Sequence, residues 1–239
     1  MKFTPMLVIW LGLLGTAFPA DSDDIEYMIV DGTIVVFGHT LVPRETLPEI
    51  EVCEECVSMH SVGFVRSPDE RRILIISDVH LANFDAWVFD TQSNAAPTRV
   101  ADKRRGRHLS RSEWHANDRI ELFFGGMGYS RSLFIDVAKP ADARVIDDPL
   151  LYDADRDVYV RYVYDSSTGT DQIEIGSVFS ADRGAERFPI ALDNEYQSES
   201  RFMIESADID GTNLVVTYDT TARGEVRDVF NPSVLMEEE

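Results

Sequence analysis

Cysteine is scarce in this chain: two in 239 residues, Cys53 and Cys56. A disulfide framework therefore cannot be what holds the fold together. Helical periodicity is missing too. Beyond the N-terminus, apolar residues never recur at i, i+3, i+4 and i+7 over a sustained stretch, which excludes a helical body. Only one long apolar run exists, Met6 to Leu14, and it falls short of the roughly 20 residues a membrane-spanning helix needs. Basic residues are few, 22 against 43 acidic, for a net charge of −21. Such a chain repels phosphate backbones, which weighs against nucleic acid as a partner. There is no Gly-x-Ser-x-Gly nucleophile elbow. Gly125-Gly126-Met127-Gly128 has no helix after it to make a phosphate cradle.

The N-terminus has the three parts of a secretory signal. Lys2 supplies a positive charge, the apolar run follows, and small residues stand at Gly15, Ala17 and Ala20 before the acidic Asp21-Ser22-Asp23-Asp24. The expected division is a signal peptide over residues 1–20, one domain over 21–236 and an acidic tail over 237–239. The expected location is periplasmic or secreted, with no transmembrane segment after cleavage. An uncleaved anchor is the alternative. In an oxidising compartment Cys53 and Cys56 are expected to form a local disulfide; free thiols, or zinc with His60 as a third ligand, are the competing readings.

What the chain does have is a repeat. Asp-rich turns lead into β-branched and aromatic runs starting at Ile34, Ile73, Ile120, Val158 and Leu214, at intervals of 39, 47, 38 and 56 residues. A second apolar run follows the last four by 13, 12, 14 and 11 residues, around Ala86–Asp90, Ser132–Asp136, Gln172–Ile175 and Glu225–Val229. Leu47–Val52 takes that place in the first unit. Arg99-Val100, Arg144–Ile146 and Arg187–Ile190 suggest third strands. Steady spacing is what hairpins impose, because strand and turn lengths fix register. The fold expected is all-β: a small β-propeller of about five blades, with a β-sandwich as the alternative.

One unit carries a resemblance. Ser67-Pro68-Asp69-Glu70-Arg71-Arg72, then Ile73–Asp78 and Asp85–Asp90, is similar to the PD40-type propeller repeat of TolB and its relatives. That repeat has a Ser-Pro-Asp-Gly turn, a strand ending near Ser-Asp and a second strand ending in Asp. Trp114–Asp136 is a weaker copy, and Asp208–Tyr218 keeps Asp-Gly without Ser-Pro. The resemblance implies a propeller fold. It leaves function open, since such repeats serve translocation proteins, peptidases and other enzymes.

In a propeller the loops joining first to second hairpin strands gather on one face. That reasoning selects His39, Asp78, His80, Asp85, Tyr129, Arg131, Asp219 and Arg223 as a binding face. The expected function is a non-catalytic binding module for a protein or envelope component, with no cofactor and no metal. A secreted, glycan-directed hydrolase using carboxylates of that face is the alternative. The Asp-rich turns at 153–157 and 208–213 invite a calcium reading, but both coincide with the repeat turn, where Asp caps its own backbone. The basic run Lys103–His108 with Arg111 is read as a solvated loop, or as a grip on an anionic partner in an assembly role.

Overall fold

The computed structural model describes residues 25, 27–30, 33–43, 60–79, 83–101, 109–126, 129–180, 183–192, 203–220 and 222–236. Within them the chain is all-β, arranged as five separate antiparallel meanders. Sheet I holds β1 (Tyr27–Val30), β2 (Thr33–Val36) and β3 (His39–Leu41). Sheet II holds β4 (His60–Arg66), β5 (Arg72–Val79), β6 (Asn83–Asp90) and β7 (Thr98–Ala101). Sheet III holds β8 (Leu109–Ala116), β9 (Arg119–Gly126), β10 (Tyr129–Asp136) and β11 (Arg144–Asp147). Sheet IV holds β12 (Pro149–Asp153), β13 (Val158–Asp165), β14 (Thr170–Ser177) and β15 (Ala185–Ile190). Sheet V holds β16 (Ile204–Asp210), β17 (Asn213–Thr220) and β18 (Gly224–Phe230).

The period-2 alternation of strands gives each sheet two faces, and the sheets stack face to face in chain order. Ile34 and Val36 of sheet I meet Ile73, Ile75, Trp87 and Phe89 of sheet II. On the other side of sheet II, Leu74, Ile76, Ala86 and Val88 meet Ile120, Leu122, Leu133 and Ile135 of sheet III. Val158, Val160, Ile173 and Ile175 of sheet IV meet Leu214, Val216 and Tyr218 of sheet V. The seam between sheets III and IV is different: its apolar part is small, built on Phe134, Ile146, Tyr159 and Val178. The leading strands come together across the stack, β4 beside β8 and β12 beside β16. Among the described residues no apolar cluster joins sheet I to sheet V.

The repeat turns have a physical basis. The Ser67 hydroxyl donates to Asp69 Oδ1 at 2.7 Å and accepts the Arg72 amide at 2.9 Å, and the Ser67 carbonyl accepts the Glu70 amide. Glu70 itself sits at φ 59°, in the left-handed region that favours glycine.

Three expectations need correcting. The runs around Trp114-His115-Ala116, Tyr152-Asp153 and Asp208–Asp210 are not turns but the ends of the leading strands β8, β12 and β16. Their alternation is masked by polar residues and by register shifts in all three. In sheet I the partner of β2 is β3, because Phe37 (φ 50°) and Gly38 (φ 75°) turn the chain back within two residues; Leu47–Val52 lies outside the described residues. His39 is therefore a strand residue, its ring tilted against Phe89 at 5.9 Å, and not part of a loop.

One connection is very short. Between β11 and β12 stands Asp148 alone, at φ 50°. Its amide donates to the Ser130 carbonyl of sheet III (2.8 Å) and its carbonyl accepts the Tyr162 amide of sheet IV (3.2 Å). Its carboxylate accepts the Ser130 amide at 3.0 Å.

Candidate functional site

The seam between sheets III and IV is where the repeat changes chemistry. Aligned from their starts at Arg72, Arg119, Val158 and Asn213, the second strands carry Leu74, Glu121, Val160 and Val215 at the third position. At the fourth they carry Ile75, Leu122, Arg161 and Val216. The residues paired with these fourth positions across the third strands are Trp87, Leu133, Glu174 and Asp228. Glu121 points from sheet III into the seam, and Arg161 with Glu174 point into it from sheet IV. Both sides thus place buried charge where the I–II and II–III interfaces use aliphatic or aromatic side chains.

Glu121 is 4% exposed and is the hub of the sheet III side. It accepts from Ser132 Oγ, lies 2.7 Å from His115 Nε2 and accepts from Arg111 Nη2 at 3.2 Å. Burial pushes its pKa upward, but the bonds from His115 and Ser132 and the charge of Arg111 outweigh it and leave the carboxyl below its usual value. Because the carboxylate stands between Ser132 and His115, the serine donates to the carboxylate and not to the imidazole. The order of a nucleophilic triad, serine to imidazole to acid, is absent here. Glu113 lies opposite Glu121 in the β8–β9 register and 3.5 Å from Arg111 Nε. Glu113, His115 and Glu121 each offer a ligand atom, and these atoms all lie within 4.8 Å of one another.

Glu174 is the hub of the sheet IV side. It accepts from Tyr159 OH (2.8 Å), Arg161 Nε (2.6 Å) and Arg187 Nε (2.8 Å). Burial raises its pKa, and these three donors more than offset that, so it stays ionised below the ordinary range. Burial and the Glu174 bond together push the Tyr159 hydroxyl up to about 12. Between the two hubs, Tyr152 packs edge-on against His115 (4.8 Å) and tilted against Phe134 (4.5 Å). Its hydroxyl reaches Asp157 Oδ1 at 3.4 Å. Asp157 also takes the Ser177 hydroxyl and the Phe179 amide, while Arg119 of sheet III bonds the Ala154 carbonyl of sheet IV.

The residues selected from the sequence scatter relative to this seam. Asp85 is buried in β6 on the face toward sheet I, 3.5 Å from Arg99, and Arg131 is in β10, bound to Asp147. Neither belongs to a loop, because β6 and β10 begin earlier than the apolar runs suggest. Asp78 lies in β5, paired in register with Phe84, and Tyr129 opens β10 opposite Gly126. Asp219 and Arg223 flank the β17–β18 turn and are exposed. There Thr220 Oγ1 accepts the Arg223 amide. His80, Cys53 and Cys56 lie outside the described residues, as does Lys103–His108. In the calcium candidate, Asp153 caps the Asp155 and Arg156 amides and pairs with Arg156 at 2.7 Å; its oxygens already serve the turn. The seam itself was not among the selected residues. Its one signal in the sequence is an acid at the centre of an apolar strand, in Ile120-Glu121-Leu122 and Ile173-Glu174-Ile175.

No known protein-family profile matches the chain, and no curated protein matches it. Among solved structures it is similar to a puromycin hydrolase (10% identity, TM-score 0.36, 73% of this chain and 27% of the other). An uncharacterized protein from Listeria monocytogenes is similar at 10% identity and TM-score 0.37, over 87% of this chain and 59% of that one. TolB from Acinetobacter baumannii is similar at 9% identity and TM-score 0.35, over 90% and 51%. The chain thus spans between about a quarter and three fifths of the length of these structures. No helix among the described residues is long and apolar enough to cross a membrane.

Proposed function

We propose that this chain is an exported, non-catalytic recognition module: a five-bladed propeller that binds a protein or envelope component through one end of its stacked hairpins. The observation that carries this reading is the saturation of three of its buried acids. Among the described residues Glu121, Asp157 and Glu174 each accept several donors from their own fold, unlike the proton-exchanging carboxyl pair a glycosidase needs. Exposed charge instead stands at hairpin tips. The Asp165–Thr170 turn holds Asp165 at about 2 through the Ser167 hydroxyl and amide, and Asp219 and Arg223 flank the equivalent β17–β18 turn of sheet V.

Ring closure requires the outer faces of the end sheets to meet, and apolar side chains stand on both. Met28 (58% exposed) and Val30 (48%) lie on the side of sheet I that faces away from sheet II. Val229 (54%) lies on the corresponding side of sheet V. Mutual cover of these two faces would complete the ring and leave no open face at either end. In this reading residues 1–20 are removed on export to the periplasm or medium.

The binding test is affinity capture from envelope fractions with the mature protein and a Asp165→Ala/Asp219→Ala/Arg223→Ala variant. A partner retained by the first and lost by the second is the expected outcome; equal recovery of every partner sinks the reading. Closure is tested by a Met28→Cys/Val229→Cys variant in a Cys53→Ser/Cys56→Ser background. An intramolecular disulfide forming under mild oxidation is expected, and a persistent thiol pair argues for an open stack.

A further inference from the structure

The geometry points to a metal-binding site for a divalent transition ion of the zinc class at Glu113, His115 and Glu121, held in competition with Arg111. Two acids directly opposite on neighbouring strands repel and require a cation between them. Glu113 and Glu121 are such a pair, and Arg111 supplies the cation, at 3.5 Å from Glu113 and 3.2 Å from Glu121.

Arg111 is a displaceable occupant. Its side chain is 56% exposed, and its guanidinium also rests over the Phe123 ring at 5.4 Å, a platform it can keep on swinging outward. With the arginine turned away, an imidazole nitrogen and two carboxylate oxygens remain, one of them on a buried acid. That donor set is nitrogen and oxygen of the kind zinc accepts, with ligand distances of about 2.0–2.2 Å.

The fit requires modest movement. Two ligands of one tetrahedral ion stand about 3.3 Å apart at those bond lengths. His115 Nε2 and Glu121 Oε2, now 2.7 Å apart, must open slightly, and Glu113, nearly half exposed, must close in. Glu121 is already fixed by Ser132, an outer partner of the kind that orients a ligating carboxylate. Three protein ligands leave a fourth position toward solvent on the Glu113 side. The His115 ring stands against Tyr152 of sheet IV, so an ion here would also stiffen the seam.

The test uses the mature chain stripped with chelator and titrated with zinc chloride alone, in 0.5 M salt so that the acidic surface is screened (about 4 Å Debye length). Calorimetry and thermal melting are read for the wild type and for His115→Gln, Glu113→Gln and Arg111→Leu. The expected result is one equivalent bound by the wild type, with affinity reduced about tenfold or more in the first two variants. Arg111→Leu is expected to bind more tightly and to gain more melting temperature from zinc, because the competing cation is gone. Cys53→Ser/Cys56→Ser serves as the control and is expected to keep the effect. Binding that survives in His115→Gln, vanishes in the cysteine control, or fails to strengthen in Arg111→Leu overturns the assignment. Circular dichroism without metal confirms that each variant is folded.

Discussion

At the scale of single residues, the buried acids carry most of the chemical information. Glu174 is the clearest case, since it holds one tyrosine and two arginines from the two strands that flank its own. Removing it strands Arg161, which is only a quarter exposed, while Arg187 can rehydrate. Glu174→Ala is therefore expected to cost about 2–3 kcal/mol in denaturant unfolding. Glu174→Gln keeps an acceptor for Tyr159 and is expected to cost about 1 kcal/mol. The pH dependence has a definite sign. The folded pKa lies below the ordinary 4.5, so the stabilisation is fully present above that value and is lost as pH falls through the folded one. Stability measured between neutral and acid pH should fall less steeply in Glu174→Gln than in the wild type. None of this was legible from composition. An acid inside an apolar run reads as the solvent side of a half-buried strand, and only the presence of a neighbouring sheet on that side makes it buried.

Individual elements were legible to the degree that their pattern was apolar. The central strands β5, β9, β13 and β17 and their hairpin partners were recognisable because Ile, Val, Leu and Phe recur in them at constant distance. The leading strands were not. β8 reads Leu-Ser-Arg-Ser-Glu-Trp-His-Ala, and its polar residues serve the seam where an apolar stripe would have announced a strand. The turns were legible through their capping chemistry, and one of them retains a correctable flaw. Glu70 occupies a left-handed position where the resembling repeats carry glycine. Glu70→Gly should relieve about 1 kcal/mol of backbone strain, offset in part by unfolded-state entropy. A rise of a few degrees in melting temperature checks it, and a fall would show that the glutamate makes a contact worth more than its strain. Gly176 shows the reverse constraint. A Cβ there would stand 3.1 Å from Tyr159 and from Ala185, so Gly176→Val is expected to displace Tyr159 from Glu174 and cost about 1–3 kcal/mol.

For the molecule as a whole, the apolar interior is divided. Sheets I to III share two adjoining clusters, sheets IV and V share a third, and the polar seam separates them. Trp87 and Trp114 both lie in the first group, while the second contains no tryptophan. Urea unfolding followed by tryptophan fluorescence should therefore diverge from unfolding followed by far-ultraviolet circular dichroism, which sees every strand. Coincident curves would mean that the seam couples the two groups as tightly as an apolar interface does. The fold class and the repeat could be read from the chain because they depend on local pattern. The division could not, because it depends on which sheet each alternate side chain faces.

Asp148 determines how such a divided body can move. A single residue joins the two groups, and its backbone is bonded to both, so there is no slack for one to slide along the other. Any slip of one group along the other must break those two backbone bonds, as covers cannot slide past their spine. Lengthening the spine by two or three glycines after Asp148 would remove that confinement without touching any side chain of the seam.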